Sequence, residues 1–268
     1  MAFDPHRIAA VFGRAASSYD SVVPFFTHFG ARLVDVAGLG PGESVLDVGC
    51  GRGATLLPAA ERVGPAGRVV GVDLAPEMVA LLKADIDRRG LAQASVRLGD
   101  AGALDVEPGS FDVVICSFVL HLLPDPEATA AGMAAALRPG GRCVAAAPAG
   151  SGPDWDFLLR VFGAYADRAG PPEVPFRPDF DLGMTLRGAG LEVTSTAIEA
   201  TEFHFADEQA WWAWAWTQGM RSFLESLAPA DLEAMQRELL AEVAARRTAA
   251  GIAMPQRAVF VVAEKPAG

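Results

Sequence analysis

A chain of 268 residues, 51% apolar and with a formal net charge of −11, is long enough to bury one full core and to carry an elaboration on it. The negative balance opposes nucleic-acid phosphates and acidic lipid surfaces, and no basic stripe offsets it beyond the short pair Arg246-Arg247. No apolar run reaches the roughly 18 residues of a membrane span, and residues 1–14 show neither the apolar stretch nor the cleavage pattern of a secretory signal.

Residues 1–36 predict two helices flanking a turn at Val23-Pro24. Strand-like segments then follow at Ser44–Val48, Val69–Asp73, Ser95–Leu98, Phe111–Ser117 and Arg142–Ala147. Helical segments Ala54–Val63, Pro76–Arg89 and Pro126–Leu137 separate them, with Gly40–Gly42 and Arg138–Gly141 as punctuation. Strand and helix alternating at this spacing predict a parallel sheet with helices on both faces. Residues 148–181 are rich in Pro and Gly around a helix at Trp155–Arg168. Gly188-Ala189-Gly190 stops a helix ahead of a sixth strand, Glu192–Phe205. Residues 206–250 predict two helices, the second opening at Pro229, a favoured first-turn position, and ending near Gly251. Arg257–Lys265 alternates and is placed as an antiparallel strand inserted in the sheet.

The expected architecture is therefore a doubly wound α/β domain of seven strands over residues 37–268. An N-terminal helical cap at 1–36 and a helical lid at 206–250 complete it. Cys50, Cys116 and Cys143 are isolated, with no CxxC pair. Cys116 and Cys143 read as small buried apolar residues in a reducing compartment, the cytoplasm.

Asp47-x-Gly49-x-Gly51-x-Gly53 falls at the junction of the first strand and helix. Glycines there permit positive φ and let backbone approach a ligand, while the helix N-terminus attracts a carboxylate. Asp47 supplies the opposite charge, for an ammonium group. Asp73 ends the second strand, where an acidic side chain accepts hydrogen bonds from both hydroxyls of a ribose. Asp100, after the third strand, can accept from an adenine amino group. Gly49-x-Gly51-x-x-Ala54 also satisfies the fingerprint of a nicotinamide-dinucleotide dehydrogenase. Against that reading, Asp47 would repel a pyrophosphate, and no second mononucleotide half can be placed.

VLDVGCGRG, GVDLAPEMV, GDA, FDVVICSFVLHLLPDP and LRPGG together resemble the class I methyltransferases. The similarity is to the branch that holds the ubiquinone and menaquinone C-methyltransferases and many small-molecule enzymes of bacterial secondary metabolism. It covers roughly residues 40–148. The resemblance implies a Rossmann-like fold and S-adenosyl-L-methionine as cofactor, with S-adenosyl-L-homocysteine as product. It implies cofactor contacts at Asp47, Gly49, Gly51, Gly53, Asp73, Leu74, Met78, Asp100, Ala101, Cys116 and Ser117. A non-catalytic protein that binds the same cofactor stays open as an alternative.

Methyl transfer from a sulfonium needs alignment and exclusion of water, and a base only where the nucleophile must lose a tightly held proton. His121, just past the fourth strand, is the candidate base by position, and Tyr19 a candidate to close the site. No metal is expected, since His6, His28, His121 and His204 lack ligand spacing. Four tryptophans fall within 211–216. On a continuous helix Trp211, Trp214, Gln218 and Arg221 share a stripe, aromatic with a polar end, and Arg221 can bind an anion. With His28 they are the candidate substrate contacts. The expected partner is a small, largely apolar metabolite, methylated at carbon, oxygen or nitrogen, with no nucleic acid and no membrane. A homo-oligomer stays open.

Overall fold

The computed structural model describes residues 4–170, 177 and 179–267. Part of the Pro- and Gly-rich stretch, 171–176 and 178, lies outside them. Ser44–Val48 (β1), Arg68–Asp73 (β2), Ala94–Leu98 (β3), Phe111–Ser117 (β4) and Leu137–Pro148 (β5) pair in parallel. Glu192–Phe205 (β6) and Ile252–Glu264 (β7) complete a seven-stranded sheet of order β3-β2-β1-β4-β5-β7-β6, in which β7 alone runs antiparallel to its neighbours. The doubly wound α/β expectation is met, including the antiparallel last strand between β5 and β6. The strand order reverses between β1 and β4, and at such a switch point open sheets form a ligand crevice.

Side chains of period two divide the core. Val45, Ile115 and Val144 face one side of the sheet, while Leu46, Val114 and Cys143 face the other. Helix α1 (Pro5–Ala15) lies off the sheet, across the strand ends. The first face is covered by α2 (Phe25–Ala37), α3 (Leu56–Val63) and α4 (Pro76–Arg89), and the second by α5 (Pro126–Ala136) and α7 (Leu182–Gly188). Phe29 and Leu33 of α2 are fully buried in the first layer, so α2 is part of the core.

Beyond the sheet the strands differ in length. β5 leaves β7 at Pro148 opposite Ala258, whereas β6 and β7 stay paired as far as Phe205 opposite Ile252. Glu202–Phe205 and Ile252–Pro255 thus run on as a two-stranded ribbon past the C-terminal edge of the parallel strands. The seventh strand begins at Ile252, earlier than the sequence pattern suggested. The ribbon carries α8 (Glu208–Ala215), α9 (Met220–Ser226) and α10 (Pro229–Ala244), with α6 (Phe157–Tyr165) packed on α10. Three helices replace the expected two. The Thr217 hydroxyl and amide both turn back to the Trp214 carbonyl, which competes with the helical ladder, and Gly219 opens the next helix.

Arg142 of β5 ties the layers. Its guanidinium donates to the Ala37 and Gly38 carbonyls at the end of α2 (2.7 and 3.2 Å) and to both carboxylate oxygens of Glu43 (2.8 and 2.9 Å). Arg142→Ala leaves three acceptors without a partner at a half-buried position. A loss of about 2 kcal/mol is expected in the denaturant midpoint, with cofactor affinity retained.

Candidate active site

The glycine turn, Asp73 and Asp47 meet at the C-terminal edge beside the switch point. Asp47 is completely buried. Its Oδ2 accepts from the Thr55 hydroxyl at 2.5 Å, and its Oδ1 has no partner. Gly51 donates its N–H to Asp73 Oδ2 at 2.7 Å, and Ala75 donates to Asp73 Oδ1 at 2.9 Å. The Asp73 carboxylate keeps acceptor capacity for a ribose hydroxyl. A Cβ on Gly51 would meet nothing within 4 Å, so the turn faces open space there. Gly53 is different: its φ is 82°, and a Cβ would strike Leu82 at 2.5 Å. That conformation holds α3 back until Leu56, later than the expected Ala54.

The other candidates lie at the strand ends and in the helix and turns that follow them. Asp100 spends Oδ1 on the Gly102 amide (2.8 Å), which opens a short turn at Ala101–Ala103. Leu74 is half-buried, and Met78 is buried with Ala16, Ala75 and Tyr19 between α4 and α1. Ser117 is half-buried at the end of β4, whereas the Cys116 thiol belongs to the cluster beneath α5. Only the Cys116 backbone is left to face a ligand in the cleft.

Burial pushes the Asp47 carboxyl up to about 7, opposed by the Thr55 hydrogen bond and reinforced by the charge of Asp73. Burial raises Asp73 as well. Tyr19 stacks on Phe26, with ring centres 4.3 Å apart, and senses the charge of Asp73 across the cleft. Burial, Asp20 and Asp73 hold its phenol well above the usual range. His121 is pushed down to about 4 by burial and by Arg177, and its Nδ1 has no partner. Both side chains are neutral near pH 7 and poor bases.

The tryptophan stripe does not survive as one wall. Trp211 is fully buried, donating to Met254 Sδ at 3.3 Å and stacking on Trp155. Gln218 is buried and turns to the Thr217 hydroxyl (3.3 Å). Arg221 is engaged by Glu225 at 2.7 Å and by the Arg14 carbonyl at 3.3 Å. The break between α8 and α9 sends these side chains to different neighbours. Trp214 is buried as well, 6.3 Å from Phe25 and 5.5 Å from Phe205, with its indole N–H unpartnered. His28 packs against Phe29 and Phe203.

Three features escape the motif reading. Phe118, directly after β4, holds φ at 57°, an uncommon conformation for a bulky residue. Its ring lies 5.3–5.8 Å from Phe25, Phe26 and Phe29. Thr55 anchors Asp47. Arg52, between Gly51 and Gly53 in the glycine turn, binds the Ala16 carbonyl and Asp85, both at 2.9 Å. The cluster Phe25-Phe26-Phe29 in the sequence was the available signal for the aromatic wall.

A family described as a methyltransferase domain matches residues 45–141. The chain is 37% identical to nocamycin O-methyltransferase of Saccharothrix syringae, over 96% of this chain and 99% of that protein. The chain belongs to the class I S-adenosylmethionine-dependent methyltransferases. Aklanonic acid methyltransferase DauC of Streptomyces sp. (strain C5) is 36% identical over 69% of this chain and 91% of its own length. The YcgJ protein of Bacillus subtilis shares the fold, with a TM-score of 0.60 at 19% identity, covering 90% of this chain and 100% of that one. These relatives give no support to the dehydrogenase alternative. S-adenosylmethionine is the methyltransferase's cofactor, and the chain's residues fit it. The unpartnered Asp47 Oδ1 suits an ammonium group, the open turn at Gly51 admits the ligand, and Asp73 suits ribose hydroxyls. Among the described residues no three His, Cys, Asp or Glu side chains converge as a metal site.

The Asp47 carboxyl makes cofactor binding depend on pH. The folded chain without cofactor keeps a proton that the unfolded chain, at about 3.9, has lost. The stability carried by that proton is complete below about pH 4 and is lost as pH rises through about 7. An ammonium beside the ionised carboxylate reverses the trend. Affinity for S-adenosylhomocysteine, measured by calorimetry, should rise from about pH 5 to about pH 7, by up to about tenfold per unit, and then level off. Asp47→Asn should bind weakly with a flat profile.

Proposed function

We propose that the methyltransferase acts on an acidic oxygen, a carboxylate or an acidic enol, of a small, largely apolar metabolite. The observation that carries this is geometric: Tyr19 is stacked on Phe26 and packed against Met78, where burial favours its neutral form. Tyr19 keeps its proton, and His121, at about 4, accepts one poorly. An acceptor that arrives already ionised needs no base. The bound cofactor supplies an electrophilic methyl on a sulfonium sulfur, with a neutral thioether as leaving group. This chain's contribution is to align the acceptor oxygen and to exclude water.

The walls agree with an apolar acceptor. Phe25, Phe26, Phe118 and Trp214 pack together beyond the end of β4, and the unpartnered Trp214 N–H would donate to an acceptor oxygen that enters among them. One relative is an O-methyltransferase and another is named for aklanonic acid, which supports an oxygen and an acid for this chain too. The helical lid at 206–250 and α1 would close over the acceptor. Free, buried Cys50, Cys116 and Cys143 support a reducing, cytoplasmic setting, and the charge of −11 supports a partner that is not nucleic acid. No helix among the described residues is long and apolar enough to cross a membrane.

The test combines product identity with rate. With methyl-labelled cofactor and a panel of aromatic carboxylic acids and enols, the label should appear as an O-methyl group in the product's NMR spectrum. At saturating cofactor the rate should be flat from about pH 6 to about pH 9, and His121→Ala should lower it less than about tenfold. A carbon-bound label, or a rate that climbs through that range, overturns the proposal. Trp214→Phe keeps the ring and removes the N–H. It should raise the acceptor KM by about tenfold while affinity for S-adenosylhomocysteine stays unchanged.

A further inference from the structure

Helix α1 ends over the cleft, and its last carbonyls are divided among partners from separate parts of the fold. Gly13 and Ala15 carbonyls are satisfied locally, by the Ala16 amide (3.1 Å) and by the Ser18 amide and hydroxyl (2.9 and 3.1 Å). The Arg14 and Ala16 carbonyls are met by arginines from elsewhere. Arg52 of the glycine turn donates to Ala16 at 2.9 Å, and Arg221 of α9 donates to Arg14 at 3.3 Å. Cations at a helix C-terminus also complement its dipole.

Glu225 joins this arrangement from α9. Its carboxylate takes the Arg221 Nε at 2.7 Å, the Arg14 Nε at 3.2 Å, and the Arg14 Nη2 on its second oxygen. One carboxylate on the lid therefore binds the side chain of the last turn of α1, and the same arginine that caps that turn. On the opposite side, α1 packs Ala9, Phe12 and Ala16 against Ala75 and Met78, directly beyond Asp73. Gly13 abuts Glu77 of α4 so closely that a Cβ there would meet Glu77 Oε2 at 2.4 Å. α1 is a strut between the glycine turn and the lid.

We propose that Glu225 is a positioning residue for cofactor retention. It locks the end of α1 to α9, which keeps α1, and Tyr19 beyond it, closed over the glycine turn and Asp73. Neither cofactor nor product leaves until that contact opens, and the lid helices of the acceptor side are carried by the same contact. The proposal rests on the cofactor site alone and stands apart from the identity of the acceptor.

S-adenosylhomocysteine is the probe. In Glu225→Gln its dissociation rate in stopped-flow fluorescence should rise about fivefold, with affinity falling to match, while the thermal midpoint of the free protein moves little. Glu225→Asp should recover part of the loss. Glu242→Gln serves as control, because Glu242 pairs with Arg160 at a comparably exposed contact between α6 and α10, away from α1. It should leave the rate unchanged. In the wild-type protein, added salt should speed dissociation, and Glu225→Gln should remove most of that dependence. A wild-type rate in Glu225→Gln overturns the proposal, as does an equal loss in Glu242→Gln. Should Glu225→Gln fail to fold, a salt-independent rate in the wild-type protein overturns it.

Discussion

A carboxylate withdrawn completely from water has to be matched by a proton or by a cation, and Asp47 sits close to the balance between them. Dehydration alone would keep it neutral; the Thr55 hydroxyl pulls the other way. The remaining oxygen, unpartnered, suits a positively charged group. Much of the fold serves that placement. β1 must be flanked by β2 and β4 for its last residues to be dry. The turn must reverse through positive φ before α3 begins, so that Thr55 comes back under Asp47. Sheet order, glycine conformation and ligand charge are three expressions of one electrostatic requirement.

The acceptor side follows a different logic, with few charges and many rings. Phe118 occupies a left-handed conformation that costs on the order of 1–3 kcal/mol, offset by packing among the three phenylalanines of α2. The conformation turns a large ring from the end of β4 into the phenylalanines of α2. Nearby, burial favours the neutral phenol of Tyr19. Such a site positions a nucleophile and leaves its ionisation to the nucleophile's own chemistry. On the proposed reading, a preference for acidic oxygens would follow from what the site omits.

The cofactor half of the molecule was legible because its signals are local. Asp47, Gly51 and Asp73 belong to short contiguous motifs, and strand alternation sets their positions within a residue or two. The lid was less legible. Trp211, Trp214, Gln218 and Arg221 share a stripe only on an unbroken helix, and a back-bonded Thr217 ahead of Gly219 breaks it. Arg221 was read as an anion site because its partners, Arg14 and Glu225, come from segments 207 residues away and one turn away. Phe118 was invisible for a related reason, since a backbone dihedral leaves no mark in residue type. The division at residue 36 likewise missed that α2 is interior, because an amphipathic helix does not announce which surface it will cover.

The ribbon formed by the outer ends of β6 and β7 has a consequence for how such a chain can diversify. Its tip exchanges no strand hydrogen bonds with β5, so the helices strung on it are attached to the sheet through one hairpin stalk. A change in the length or content of that stalk moves those helices while the glycine turn and Asp73 keep their positions. New acceptors can then be tried against an unchanged methyl donor, with the arginine contacts to α1 as the seam that each new lid has to match.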